Sequence, residues 1–300
     1  MREILILSGK GGTGKTTLTA AFAHLASNHV ICDLDVDAPD LHLILQPDTH
    51  SVEPFESGHE AIIRPEDCER CGTCLDACRY DAIQGDDPPV VNPLKCEGCK
   101  LCVALCPADA ITWSPNHCGD WYQSDSRFGP MVHAQLFPAE ENSGRLVALL
   151  RKQARILAEA QGLDLILSDG PPGIGCPVIA ALSGTDMAVI VTEPTVSGRH
   201  DLERVLELCH HFKIRTGVII NKCDLNLDQA NAIKAYCQAQ QLPLIGEMPY
   251  DRVFTEAMIQ GQTVTEFQPE GAGAAVEAIW NNLLKLGAEP APAKDHAAIG

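Results

Sequence analysis

Positive charge is scarce in this chain. Its 22 Lys and Arg residues stand against 40 Asp and Glu, for a formal net charge of −18. A surface of that sign repels nucleic acid, and no run of Lys or Arg marks a local basic patch, so no nucleic-acid partner is expected. Long apolar runs are missing too; none is long enough to span a bilayer. The stretch from Gly287 is rich in Ala and Pro and lacks a basic apolar face, so no stable membrane insertion is expected. The first apolar run begins almost at Met1, so no secretory leader is expected and a cytoplasmic location is.

Cysteine, by contrast, is plentiful. Of fourteen, eight fall within 39 residues. In a reducing compartment such a block reads as metal ligands, not disulfides. Three hundred residues, 45% of them hydrophobic, allow a sizeable core and one large domain or two ordinary ones.

Strand and helix signals alternate outside the cysteine block. Apolar strands are expected at 2–8, 30–35, 163–168, 187–192, 216–221 and 242–246. Helices are expected at 15–27, 145–161, 198–211, 228–240, 252–260 and 271–286. That alternation predicts an α/β fold, a mostly parallel sheet with helices on both faces, and the glycine loop Gly9-Lys10-Gly11-Gly12-Thr13-Gly14-Lys15-Thr16 between its first strand and first helix makes it the P-loop NTPase type. The domain plan is 1–57 and 143–286 for the two parts of this body and 58–112 for a cysteine-rich insert. It adds an irregular connecting or lid segment at 113–142 and a flexible tail at 287–300.

The strongest local signal is Gly9-Lys10-Gly11-Gly12-Thr13-Gly14-Lys15-Thr16, set between the first strand and the first helix. Gly11, Gly12, Thr13 and Gly14 let backbone N–H groups turn onto an anion, and the helix N-terminus adds its dipole. Lys15 would reach the β and γ phosphates, and the Thr16 hydroxyl would ligate Mg²⁺. Asp33 and Asp35 close the second strand two residues apart, so both point the same way. One would hold a metal-bound water and the other would orient the attacking water. Asp169 in Asp169-Gly170-Pro171-Pro172-Gly173 would hold Mg²⁺ through water. Thr192-Glu193-Pro194-Thr195 should line the same sheet edge. Asn221 and Asp224, in Asn221-Lys222-Cys223-Asp224, would read the edge of a purine; the pattern alone leaves adenine and guanine open.

The cysteines run Cys68-x2-Cys71-x2-Cys74-x3-Cys78 and then Cys96-x2-Cys99-x2-Cys102-x3-Cys106-Pro107. Each half has the spacing of a bacterial ferredoxin [4Fe–4S] motif. The fourth cysteine of a run cannot easily fold back onto its own cubane. Cys68, Cys71, Cys74 and Cys106 are therefore expected on one cluster, and Cys96, Cys99, Cys102 and Cys78 on the other. Zinc is the main structural alternative, but its four-cysteine sites come as two separated pairs. The repeat of Tyr80-Asp81-Ala82-Ile83 as Ala108-Asp109-Ala110-Ile111 supports two related half-modules. The block holds ten acids against five bases over 58–118, which favours a partner with a basic face. Cys176, His117 and His133 read as ordinary packing or loop residues, and Cys32 as a small buried one.

With Lys10 beside Lys15 and Thr17 after Thr16, the loop resembles the deviant Walker A signature of the MinD/ParA/Mrp-like ATPases, which include the nitrogenase iron protein. Asp33-Leu34-Asp35-Val36-Asp37-Ala38-Pro39 and Asp169-Gly170-Pro171-Pro172-Gly173 look like the other nucleotide motifs of that superfamily. The chain as a whole is similar to its subgroup with an inserted ferredoxin domain. The resemblance implies ATP and Mg²⁺ as ligands, slow hydrolysis, Asp35 as the orienter of water and Asp33 as a support for Mg²⁺. It implies that Lys10 reaches across an ATP-dependent dimer, either a homodimer or a heterodimer with a similar ATPase. Joined to the two clusters, it leads to an expected role in electron transfer or iron–sulfur or metallocofactor assembly, through an unidentified redox or assembly protein. The alternative is a positioning or regulatory ATPase whose clusters are structural or redox-sensing. The C-terminal Cys-x2-Cys of Mrp-type scaffolds has no counterpart here.

Overall fold

Strand β1 (Arg2–Ser8) is apolar from Ile4 to Leu7, and all four of those side chains are buried. A strand buried on both faces belongs in the middle of a parallel sheet. In this computed structural model, which describes residues 1–138, 140 and 143–288, it does. The glycine loop leads from β1 into α1 (Lys15–Leu25), then β2 (His29–Asp33), α2 (Leu41–Leu45) and the long β3 (Asp48–Ile63). The cysteine block follows, with α3 (Thr73–Ala77), β4 (Ile83–Gln84), β5 (Val90–Val91) and α4 (Leu101–Leu105). The chain returns through β6 (Ile111–Ser126), β7 (Gly129–Leu136) and α5 (Ser143–Gln161). Alternation then resumes with β8 (Leu165–Pro172), α6 (Cys176–Leu182), β9 (Met187–Thr192), α7 (Val196–His211) and β10 (Arg215–Ile220). It ends with α8 (Leu227–Ala239), β11 (Leu244–Glu247), α9 (Val253–Ile259), α10 (Val264–Phe267) and α11 (Ala272–Ala288).

Nine strands form one sheet in the order β11-β10-β9-β1-β8-β2-β7-β6-β3. The pairs from β11 through β7 are parallel. One core packs Phe22 of α1 and Trp280 of α11, with ring centroids 5.3 Å apart, over Ile4, Ile6 and Val189 of the sheet. The fold is therefore the expected α/β sheet flanked by helices.

Two compact units divide the chain. The first is Met1–Val52, Trp121–Gln135 and the chain from Ser143; the second is Glu53–Asp120 and Leu136–Asn142. The chain passes from one to the other within β3, within β6 and again at the end of β7. The second unit has its own small core of Ala61, Cys74, Ile83 and Ile111.

Three expectations need correcting. Residues 113–142 are not an irregular lid for most of their length; they are the greater part of β6 and β7. Met131 to Ala134 are buried because β7 pairs with β2, Ile31 opposite Met131 and Cys32 opposite Val132. His, Gly and Pro masked that pairing, which depends on a partner a hundred residues away. Residues 41–57, where neither a strand nor a helix is expected, hold α2 and the first part of β3. Strand β8 also continues past Asp169 to Pro172, paired along β1. The tail expected at 287–300 lies outside the described residues from 289 onward.

Candidate functional site

Sheet register brings the acids together. In parallel pairing Asp33 at the end of β2 lies opposite Asp169 of β8, and Asp169 also lies opposite Ile6 of β1, just ahead of the glycine loop. Gly14 opens α1 with φ +89°, and a Cβ there would sit 2.4 Å from Asn221 Nδ2. Only glycine satisfies both demands.

Lys15 is buried among these acids. Its Nζ lies 2.9 Å from Asp169 Oδ2, 3.4 Å from Asp35 Oδ2 and 3.2 Å from Thr16 Oγ1. The Thr16 hydroxyl donates to Asp169 Oδ2 at 2.7 Å, and Thr19 Oγ1 lies 2.8 Å from Asp169 Oδ1. The Asp35 backbone N–H donates to Asp33 Oδ1 at 3.1 Å. Asp33 Oδ2 is buried with no hydrogen-bond partner among the described residues. Burial pushes the Asp33 carboxyl up, and the Asp169 charge pushes it further. Burial also raises the Asp35 carboxyl, with Lys15 pulling against it. For Lys15 burial works against the charged form, but Asp169 and Asp35 outweigh it and hold the ammonium above its usual range. The result is one cation balancing a cluster of carboxylates around hard oxygen donors, a set that suits a Mg²⁺ ion beside a phosphate.

Lys10 reaches in another direction. Its Nζ is 3.2 Å from Glu193 Oε2 and 3.5 Å from Thr195 Oγ1. Glu193 also pairs with Lys222 Nζ. Burial opposes ionisation of Glu193, but the two lysines' hydrogen bonds prevail and hold the carboxyl low. Asn221 donates from Nδ2 to the Thr13 carbonyl at 2.8 Å, so it braces the phosphate loop from below. Asp224 accepts the Tyr250 N–H at 2.6 Å and is not a lining residue of the clefts around the loop. One cleft holds Gly11 to Thr17 with Asp35, Asp37, Leu43 and Ile259. A second adjoins it, walled by Asn221, Met248, Pro249, Tyr250, Phe254 and Met258. Sequence reasoning missed this apolar wall. The only hint was Met248-Pro249-Tyr250-Asp251 at the end of the last strand, where ligands of parallel sheets sit.

The eight motif cysteines fall into two cavities. Cys68, Cys71, Cys74 and Cys106 line one; Cys78, Cys96, Cys99 and Cys102 line the other. The halves repeat in detail. Arg70 and Gly98, Gly72 and Lys100, and Asp81 and Asp109 occupy matching positions with positive φ. Cys78 Sγ accepts the Ala82 N–H at 3.4 Å as Cys106 Sγ accepts that of Ala110 at 3.3 Å. Among the described residues no group of three or more His, Cys, Asp or Glu is drawn into a metal-holding arrangement. Cys118 is buried with Sγ 3.1 Å from the Ser57 carbonyl, and Cys176 is exposed at the start of α6. His133 is buried and His117 pairs with Asp120 at 2.8 Å.

A phosphate loop at the edge of a parallel sheet, with buried acids converging on its lysine, defines a P-loop nucleotide-binding protein. Residues 4–264 match the CobQ/CobB/MinD/ParA nucleotide binding domain family, and the chain belongs to it. It is an ATP-binding ATPase of that family. The chain is 36% identical over 229 residues to Uncharacterized protein MJ0578 of Methanocaldococcus jannaschii, covering 75% of this chain and 79% of that protein. Its fold is similar to that of the septum site-determining protein MinD complexed with Mg-ADP from Pyrococcus horikoshii, with a TM-score of 0.57 and 20% identity over 96% of this chain and 97% of that one. A more distant relative is the cytosolic Fe-S cluster assembly factor nubp2 of Danio rerio, 22% identical over 94% of this chain and 92% of that protein. Among the described residues no helix is long and apolar enough to cross a membrane.

Proposed function

We propose that this ATPase couples Mg²⁺-dependent ATP hydrolysis to an inserted ferredoxin-like module with two [4Fe–4S] clusters, and acts through a partner in electron transfer or in iron–sulfur or metallocofactor assembly. The observation that carries the reading is the pair of four-cysteine cavities, each combining three cysteines of one run with the fourth of the other. That crossed sorting is what ferredoxin spacing demands. The assembly arm draws support from the relative whose name places it in cluster assembly.

At the nucleotide, Thr16, Asp169 and the unpartnered Asp33 oxygen would hold Mg²⁺, which supplies positive charge beside the β and γ phosphates. Lys15 turns from its carboxylates to the phosphate oxygens, and loop N–H groups share the charge that develops there. Asp35 accepts a hydrogen bond from the attacking water and aligns it. The water oxygen bonds to the γ phosphorus, the bond to the bridging oxygen breaks, and the water proton leaves to a phosphate oxygen. Lys10 leaves Glu193 and meets the nucleotide of a second ATPase subunit. In the insert, the eight thiolates would ligate the clusters, which supply one-electron chemistry when bound, and the Ala82 and Ala110 N–H groups steady two of the sulfurs.

A second reading has its own support. Cys74 is part of the small core of its unit, with Cys78, Cys96, Cys102 and Cys106 packed against it. On that reading the clusters hold the unit together and the ATPase positions or regulates something else. One experiment separates the two. Protein purified without oxygen is measured by EPR and redox titration with no nucleotide, with MgADP and with a non-hydrolysable MgATP analogue. A nucleotide-dependent shift in potential, lost in Lys15→Ala, is expected. Identical potentials and spectra in all three states would favour the second reading, and zinc in place of iron would defeat both.

A further inference from the structure

Arg127 lies in the turn between β6 and β7, far from the phosphate loop in sequence. Every N–H of its guanidinium is used. Nη1 donates to the carbonyls of Ile44 and Leu45 at 2.8 and 3.0 Å. Nη2 donates to the Gly261 carbonyl at 3.1 Å and to Glu266 Oε2 at 2.7 Å, and Nε donates to Glu266 Oε1 at 2.8 Å. The planar fork thus closes the orphan carbonyls at the end of α2, the turn between α9 and α10, and the first turn of α10. Burial works against ionisation of Glu266, but hydrogen bonds from Arg127 and Thr263 hold its carboxyl at about 2.

The segments joined here matter. Leu43 and Ile44 of α2, with Met258 and Ile259 of α9, line the cleft that holds the phosphate loop. Gln46 follows α2 in a left-handed conformation, and its side chain presses on Gly261; a Cβ on that glycine would come within 2.2 Å of Gln46 Nε2. Two residues later β3 begins, and Arg127 itself directly follows the end of β6. Those two strands flank the cysteine block, and the chain crosses between the units within each of them, as it also does at the end of β7.

We infer that Arg127 is a positioning residue that couples the nucleotide cleft to both strands leading to the cysteine module. A ligand that draws the α2 and α9 walls together moves the Arg127 joint, and with it the start of β3 and the end of β6. The inference rests on nucleotide binding at the phosphate loop. It would give the proposed link between ATP and the clusters a physical route, in which one guanidinium holds both walls and both strands.

Hydrogen exchange on the full chain tests it, with and without MgADP. In the wild type, nucleotide should slow exchange in residues 9–19, and also in β3 and β6 by about 5-fold or more, the lower end of ordinary coupling between sites. In Arg127→Ala the response at 9–19 should persist while that in β3 and β6 disappears. Arg127→Lys keeps the charge against Glu266 but lacks the fork; it serves if the alanine variant does not fold, and should lose the same response. A variant that responds in β3 and β6 as the wild type does overturns the inference, and so does a wild type whose strands never respond. Absence of any response at 9–19 would instead remove the nucleotide reading, and the inference with it.

Discussion

Lys15 is the cation on which three carboxylates depend. Removing it in Lys15→Ala leaves Asp33 and Asp169 buried without a counter-charge, so two losses are expected together. The nucleotide-free protein should lose about 3 kcal/mol of stability, as when a buried ion pair loses one partner. Hydrolysis should fall by at least ~10²–10³-fold, with severely weakened binding, as when a donor to transition-state charge is deleted. Denaturant titration and a phosphate-release assay measure the two separately. Asp35→Asn keeps a hydrogen-bonding side chain near Lys15, so nucleotide binding should survive while turnover drops about 10²-fold or more; unchanged turnover would remove Asp35 from the reaction. Glu193 makes a different prediction. It holds Lys10 through a partly exposed ion pair, the kind worth ~0.5–1 kcal/mol. Glu193→Gln in the Asp35→Asn background should therefore strengthen ATP-dependent dimerisation by about 2–5-fold by light scattering, whereas Lys10→Ala weakens it. A protein that stays monomeric at high concentration whatever occupies position 10 would defeat the dimer.

Among the elements, β2 and β7 carry histidines whose burial has a measurable consequence. His29 opens β2 and His133 lies in β7 with Nε2 2.9 Å from Ser124 Oγ. Burial lowers both to about 4, and the neighbouring His42 adds to the effect on His133. Between pH 6.5 and 4 the unfolded chain binds protons that the folded chain refuses. Stability should therefore fall as pH drops through that window, by up to ~3 kcal/mol per histidine, and level off below it. Urea midpoints measured from pH 7 to 4 test this, and His133→Gln should flatten the slope. The same elements show the limit of local pattern. The runs Ile4–Leu7 and Met187–Thr192 announce central strands because both faces are apolar. Strand β6 shows no such period; it contains Pro115, Asn116, His117, Gly119 and Asp120. It is a strand because its neighbours in the sheet supply hydrogen-bond partners, and no local signal carries that information.

Taking the whole molecule, the proposed module should bring about eight iron and eight sulfide per chain, two cubanes' worth, after anaerobic purification. Cys78→Ser should disturb the cluster held by Cys96, Cys99 and Cys102, not the one whose other ligands lie nearest in sequence. Loss of EPR intensity from the Cys68 set instead would contradict the crossed sorting. How much of this was legible beforehand follows a physical division. The phosphate loop, the acids at strand ends and the cysteine spacing were readable because each is a short segment whose chemistry requires particular residues at particular intervals. The parallel sheet was readable because burial on both faces leaves an uninterrupted apolar run. Tertiary structure alone decided which groups meet. It set Asp33 against Asp169 by strand register, buried Lys15 against Asp169 and Asp35, turned Asn221 beneath the Thr13 carbonyl and parked Lys10 on Glu193. It also gathered Ile44, Leu45, Gly261 and Glu266 around Arg127. Local sequence specifies what a segment can bind; only the packed sheet brings residues more than eighty positions apart within hydrogen-bonding distance of one guanidinium.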